Sequence, residues 1–256
     1  MAWREFRRGK RKKKDVATFE LNLEDNIFEL HRQLAVGLWR NDPYNIFRVN
    51  DPKPRIIHKA SVRDRVLFQA IYRKMYYIFD RHFIFDSYAS RLHKGTHTGV
   101  KRFEIFARKV TSNNTRNAFV LKCDVRKFFD CIDHASLLSL IAKKVSDQKF
   151  FALIGAIFET FEATPGKGLP LGNVTSQLFA NIYLNELDQF VKHELNARFY
   201  IRYCDDFVIL YPERELLEIF TRRISDFLHN ELKLALHPNK VSIRKLSLGT
   251  DFLGYV

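Results

Sequence analysis

In "RYCDDFVILY", Arg202 to Tyr211, two adjacent acids interrupt a run whose neighbours Tyr203, Cys204, Phe207, Val208, Ile209 and Leu210 all favour burial. A buried carboxylate takes a proton, finds a cationic partner or binds a metal, because an unpaired charge in a low dielectric is costly. A third acid, Asp124, closes the apolar stretch "NAFVLKCDV" 81 residues before Asp205. If the two stretches are neighbouring strands, Asp124, Asp205 and Asp206 meet at one rim of a sheet. Three carboxylates there repel one another unless cations neutralise them, and carboxylate oxygens suit Mg²⁺. The backbone carbonyl of Val125 could reach the same cation. Two metals so held can activate an attacking hydroxyl and stabilise a departing pyrophosphate in an in-line phosphoryl transfer. The plainer reading of an Asp-Asp pair is a hairpin turn, where Asp is favoured. Asp130 and Asp133, in "DVRKFFDCIDH", are further acids. Asp133 reads as the cap of a helix opening at His134; Asp130 fits either a structural or a site role.

Positioning such acids takes strands backed by helices. "NAFVLKCDV" reads as a strand and "ARFYIRYCDDFVILYP" as two strands joined at the paired acids. "DHASLLSLIAKKV" and "DQKFFALIGAIFETF" read as helices, each opening with an Asp able to cap free amides. A glycine-proline loop, "TPGKGLPLGN", leads into the amphipathic "VTSQLFANIYLNELDQFVKHEL". A helix from about 213 to 232 follows, then short strands around "LALHPNKVSIRK" and "TDFLGYV". The first half is more helical and more basic. "ATFELNLEDNIFELHRQLAVGLW" has helical spacing at Phe28, Leu30, Leu34 and Leu38. The proline-rich "RNDPYNIFRVNDPKPRIIHKAS" reads as a hairpin, "VRDRVLFQAIYRKMYYIFDRHF" as a helix, and "DSYASRLHKGTHTGVKRFEIFARKV" as a polar loop running into a basic helix. Alternating strands and helices in the second half point to an α/β or α+β sheet domain.

The chain has 256 residues, 46% of them hydrophobic, enough for a substantial core in one or two domains. Its 43 Lys and Arg against 29 Asp and Glu give a net charge of +14, which favours a polyanionic partner, nucleic acid foremost. Cys123, Cys131 and Cys204 form no zinc-ligand spacing and fit a reduced, cytoplasmic setting. No apolar run is long enough to span a membrane. The basic start, "WREFRRGKRKKKD", is followed by no hydrophobic segment, so it is not a secretory signal. It reads either as a solvated tail or as a phosphate-contacting arm.

Taken in order, "FVLKCDVRKFFDCIDH", "GLPLGNVTSQLFANIYLNELDQF", "YCDDF", "LHPNKVSI" and "FLGY" resemble the palm motifs of reverse transcriptases. "KPRIIHKASVRDRV" and "DSYASRLHKGTHTGV" resemble the fingers motifs that precede them, so the resemblance covers about residues 45 to 256. Each piece is weak alone; the ordered set is specific. It implies an α+β fold of right-hand polymerase type, with a palm whose antiparallel sheet packs on helices. The expected organisation is a basic arm over 1–15, fingers over 16–118, and a palm over 119–256 with a helical insertion around 134–170. Most bacterial relatives carry Gln-Gly followed by Ser-Pro where this chain has Leu171-Gly172 and Ser176-Gln177. That pattern resembles the enzymes of diversity-generating retroelements, which copy a template RNA with frequent errors opposite adenine. Group II intron, retron and phage-defence enzymes are the related alternatives, and a non-catalytic RNA-binding unit is the alternative of another class.

The resemblance implies roles residue by residue. Asp124, Asp205 and Asp206, with the Val125 carbonyl, would hold two Mg²⁺ ions, with Mn²⁺ as substitute. Lys53 and Arg55 would grip the triphosphate, though "KPR" alone reads equally as an exposed basic loop. Phe129 would be the steric gate against a ribose 2′-OH. Leu171 would touch the incoming nucleotide where relatives use Gln, keeping apolar contact and losing a hydrogen bond, with Gly172 allowing close backbone approach and Gln177 nearby. Lys240 would sit near the pyrophosphate as a general acid, or be a solvated strand-edge lysine. Leu253 and Gly254 would form a primer grip. The implied partners are an RNA template, a DNA or RNA primer, dNTPs and a small basic accessory protein, with no membrane. Family members continue past "FLGY" into a helical thumb, so the expectation is a fingers–palm unit without one.

Overall fold

The computed structural model describes residues 1–50 and 54–255. The basic N-terminus is not a free tail over its first residues. Ala2–Arg7 forms helix α1, which buries Trp3 and Phe6 against Val16, Val62 and Val66. Glu5 pairs with Arg73 and Arg7 with Glu20, so ion pairs border this small core. The expected single helix after it breaks at Asn22 into α2 (Lys14–Leu21) and α3 (Leu23–Ala35). Leu30 is buried and Ile27 and Leu34 pack partly, defining the inward stripe. Phe28 lies about 100° off that stripe and is 67% exposed. Leu38 lies beyond the helix end and is exposed as well.

Strands β1 (Asn45–Val49) and β2 (Arg55–Lys59) form the expected antiparallel hairpin. Ser61 caps α4 (Val62–Phe79): its hydroxyl accepts from the Asp64 amide and donates to the Asp64 carboxylate. That reciprocal cap satisfies donors a helix start would otherwise leave orphaned. α4 buries Leu67, Phe68, Ile71, Met75 and Phe79 along one face, and α5 (Thr96–Val110) completes the first half.

The second half is built on a four-stranded antiparallel sheet. β3 (Phe119–Asp124) runs into the one-turn α6 (Phe128–Cys131), then α7 (His134–Ala142) and α8 (Gln148–Phe158). The Asp133 and Asp147 carboxylates accept from the Ser136 and Phe150 amides, as their capping positions require. α9 (Val174–Gln189) widens into a π-type turn at Phe190–Glu194. β4 (Tyr200–Tyr203) and β5 (Asp206–Tyr211) follow, then α10 (Arg214–Leu232) and β6 (Ser242–Lys245). The sheet order is β4-β5-β3-β6. Residues 252–255, expected as a strand, instead close a tight turn in which Leu253 and Gly254 have φ of 58° and 83°. Two successive left-handed residues fold the chain back on itself rather than extend it.

Helices cover both faces of this sheet, which explains why "FVIL" is continuously apolar instead of alternating. Leu121, Cys123, Phe207 and Ile209 face the main core with α4, α9 and α10. Val120, Ile201, Val208 and Leu210 face Phe106 and Val110 of α5. The main core also includes Leu30 and Trp39, so both halves of the chain share it. Among the described residues, no helix is long and apolar enough to cross a membrane.

Candidate active site at the rim of the sheet

The register of β3 on β5 sets Asp124 directly opposite Asp206. Asp205 lies in the two-residue turn between β4 and β5, where Tyr203 pairs with Asp206. The carbonyl of Asp205 accepts from the Val125 amide at 3.2 Å, tying the turn to the end of β3. The Asp124 carbonyl accepts from the His237 amide at 2.7 Å, which brings the "HPNK" turn to the same rim. From that turn, Lys240 Nζ donates to Asp124 Oδ2 at 2.8 Å. Asp124, Val125, Asp205, Asp206 and Lys240, separated in sequence, therefore converge. In this arrangement Lys240, its side chain partly exposed, is the cationic partner of Asp124.

The electrostatics of the rim fit a cation. Burial raises the Asp205 carboxyl above its usual range, and the charge of Asp124 adds to the effect. Burial pushes Asp206 up to about 6, with Asp124 and Asp205 adding and the Lys122 ammonium opposing. Asp206 Oδ1 is buried and has no hydrogen-bond partner among the described residues, whereas buried acceptors in native structures are nearly always satisfied. An ammonium already pairs with Asp124, and the carboxylates of Asp205 and Asp206 offer hard oxygen donors beside it. Among the described residues, no three His, Cys, Asp or Glu side chains form a ready-made metal cage. Mg²⁺ does not need one, since it commonly takes one or two carboxylates and completes its shell with water and substrate phosphates.

Other anticipated residues are placed as follows. Phe129 is half-buried on α6, its ring edge-on to Phe128, and its carbonyl accepts from the Leu169 amide at 2.8 Å. The Leu171 carbonyl accepts from the His58 amide at 2.9 Å, so β2 docks on the loop before α9. Gly172 has φ of 114°, and a Cβ there would lie 2.9 Å from Ile57 Cγ2. The close approach this glycine permits in the structure is to β2. Gln177 is exposed on the first turn of α9 and accepts from the Ser90 hydroxyl at 2.6 Å. Arg55 is exposed at the start of β2; Lys53 lies outside the described residues. Leu253 packs toward Gly99 of α5, and Gly254 is exposed at the turn.

Sequence reasoning overlooked a group behind the acids. Arg202 is fully buried and forms a bidentate pair with Asp188, at 2.7 and 2.6 Å. The Tyr200 hydroxyl donates to the same carboxylate at 2.7 Å. The signal was present: an arginine between Ile201 and Tyr203, and an acid after Leu187 on an otherwise buried helix face.

Comparison with known proteins bears on the family and the fold. Residues 49–256 match the family described as reverse transcriptase (RNA-dependent DNA polymerase). Among curated proteins, YkfC of Escherichia coli K12 is 25% identical, the match covering 79% of this chain and 63% of that protein. The group II intron-encoded protein LtrA of Lactococcus lactis subsp. cremoris is 24% identical over 91% of this chain and 49% of its own length. The chain thus spans about half to just under two thirds of these relatives. Among solved structures, telomerase from Candida albicans, in complex with a fragment of telomeric RNA, superposes with a TM-score of 0.58 at 9% identity. That match covers 82% of this chain and 44% of the telomerase chain. Apo telomerase from Candida tropicalis also gives 0.58, at 12% identity over 91% of this chain and 51% of its own. At such identity the likeness establishes the fold, with its helices and antiparallel palm-type sheet. On the match over 49–256, the chain belongs to the reverse transcriptase (RNA-dependent DNA polymerase) family.

Proposed function

We propose that this chain is an RNA-directed DNA polymerase that copies an RNA template into cDNA by extending a DNA or RNA primer with dNTPs. The observation that carries this reading is the pairing of Asp124 with Asp206 across β3 and β5, with Asp205 in the adjoining turn. When bound by Asp124, Asp205, Asp206 and the Val125 carbonyl, two Mg²⁺ ions, or Mn²⁺ in their place, would acidify the primer 3′-OH and neutralise charge on the departing pyrophosphate. Asp124 would exchange Lys240 for that role, leaving the ammonium to meet the pyrophosphate and supply a proton. Phe129 would close the pocket against a 2′-OH. Arg55 and Lys53 would hold the triphosphate, and Leu171, with Gly172 and Gln177 near it, would border the base. In a primer-extension assay on an RNA template with dNTPs and Mg²⁺, Asp205→Ala should abolish synthesis. Synthesis at the wild-type level by that variant would overturn the reading.

The finer reading is the error-prone enzyme of a diversity-generating retroelement, working with a small basic accessory protein. Its support is "LGNVTSQ", where Leu171 offers the nucleotide apolar contact without a side-chain hydrogen bond. A second reading, a group II intron-type enzyme, is favoured by the 24% identity to LtrA. Sequencing the cDNA separates them: frequent misincorporation opposite template adenine supports the first, and uniform fidelity at all four bases the second.

A further inference from the structure

The turn that carries the acids is strained. Cys204, the first of its two residues, has φ of 57°, in the left-handed region that non-glycine residues seldom occupy. Such a conformation persists only where surrounding structure holds it. What touches this turn from behind is Arg202. Its Nη1 donates to the Cys204 carbonyl at 3.0 Å and to Asn181 Oδ1 at 3.1 Å. Nε and Nη2 grip both oxygens of Asp188, and Tyr200 completes that carboxylate's partners. The Arg202 backbone is fixed as well: its amide donates to the Asp86 carbonyl at 3.0 Å and its carbonyl accepts from Tyr88 at 2.9 Å. Asp188 and Asn181 both stand on α9, whose other end follows the Leu171–Gly172 loop.

We propose that Arg202, anchored by Asp188, is a positioning residue: it clamps the Cys204 carbonyl and holds the strained turn so that Asp205 and Asp206 face Asp124. The inference rests on the rim being the polymerase site, but it assigns a task to residues that touch neither metal nor nucleotide. A buried ion pair acting only as a core brace can be exchanged for apolar side chains of similar volume without loss of stability. A clamp cannot, because the contact to the Cys204 carbonyl disappears with the guanidinium. Lysine in place of Arg202 keeps the charge but loses the planar fork that serves Asp188, Asn181 and the turn together.

The test compares wild type with the double variant Asp188→Leu/Arg202→Met and with Arg202→Lys, using three measurements. These are thermal melting, Mn²⁺ affinity from titration of the protein without nucleic acid, and kcat and KM for dNTP in primer extension. Loss of partners behind metal ligands commonly weakens metal binding or activity about 10- to 100-fold. The expected result for whichever variant melts near wild type is a loss of that size in Mn²⁺ affinity and in kcat, with KM for dNTP within about twofold. A folded variant with wild-type Mn²⁺ affinity and kcat would overturn the proposal while leaving the polymerase reading intact. Conversely, a wild type that extends no primer yet binds Mn²⁺ more tightly than the variants would overturn the polymerase reading and uphold the clamp.

Discussion

Asp206 combines an orphaned, buried oxygen with a carboxyl pushed up to about 6, and these two facts make a linked statement about stability and pH. Because its value in the folded chain lies above that of an unfolded Asp, ionisation disfavours the fold. The penalty is absent below about pH 4, grows as pH rises, and is complete above the folded value. In metal-free buffer at pH 7, Asp206→Asn should therefore stabilise the protein by about 1 to 2 kcal/mol in urea denaturation. The gain should vanish near pH 4, and the same variant should lose primer extension. A variant no more stable than wild type at pH 7 would show that the carboxylate is not strained by its surroundings. Phe129 makes a different kind of prediction. Its ring is held edge-on to Phe128, with its backbone tied to Leu169, so Phe129→Ala should open space without unfolding α6. Discrimination between dNTP and rNTP should fall by roughly tenfold or more in competition assays. Unchanged sugar selectivity would remove Phe129 from the gate.

Between elements, one tightly constrained junction is β2 against the loop before α9. Gly172→Ala has to satisfy both a φ of 114° and a 2.9 Å approach to Ile57, so the loop must shift. The expected cost is about 1 to 3 kcal/mol in the urea midpoint, with a raised KM for dNTP as Leu171 moves. Ile57→Ala in the same chain should recover only part of the loss, since it relieves the contact and not the backbone. How far such junctions can be read from sequence depends on what creates them. β3 and β5 were legible because acids bound their apolar runs, Asp124 ending one and Asp206 opening the other; α4 was legible from its amphipathic spacing, and α7 and α8 because Asp133 and Asp147 are strong caps. The short α1 was not: six residues show little period, and its arginines mask Trp3 and Phe6. "TDFLGYV" misled because Phe and Tyr favour strands, whereas the left-handed pair Leu253-Gly254 dictates a turn. Arg202 and Asp188 sit on separate elements, and only the fold makes them partners.

Across the whole molecule, the shared core binds helices before β3 to the sheet after it. A net charge of +14 surrounds that frame, and binding to single-stranded RNA should fall steeply with salt. With about six phosphates engaged, raising salt from about 50 to 200 mM should weaken binding about 10²- to 10³-fold. A flat salt dependence in filter binding would place the charge elsewhere than on the RNA. The burial of α1 has a practical side. The chain has two tryptophans, and both lie in the segment before β1: Trp3 is buried under α1, and the Trp39 indole donates to Asp64 on α4 at 3.1 Å. Tryptophan emission is thus a built-in optical gauge of the N-terminal part and, through Trp39, of the core it shares with the sheet, while far-ultraviolet dichroism samples every helix and strand. Coincident melting curves from the two signals would mean that the chain denatures as one cooperative unit.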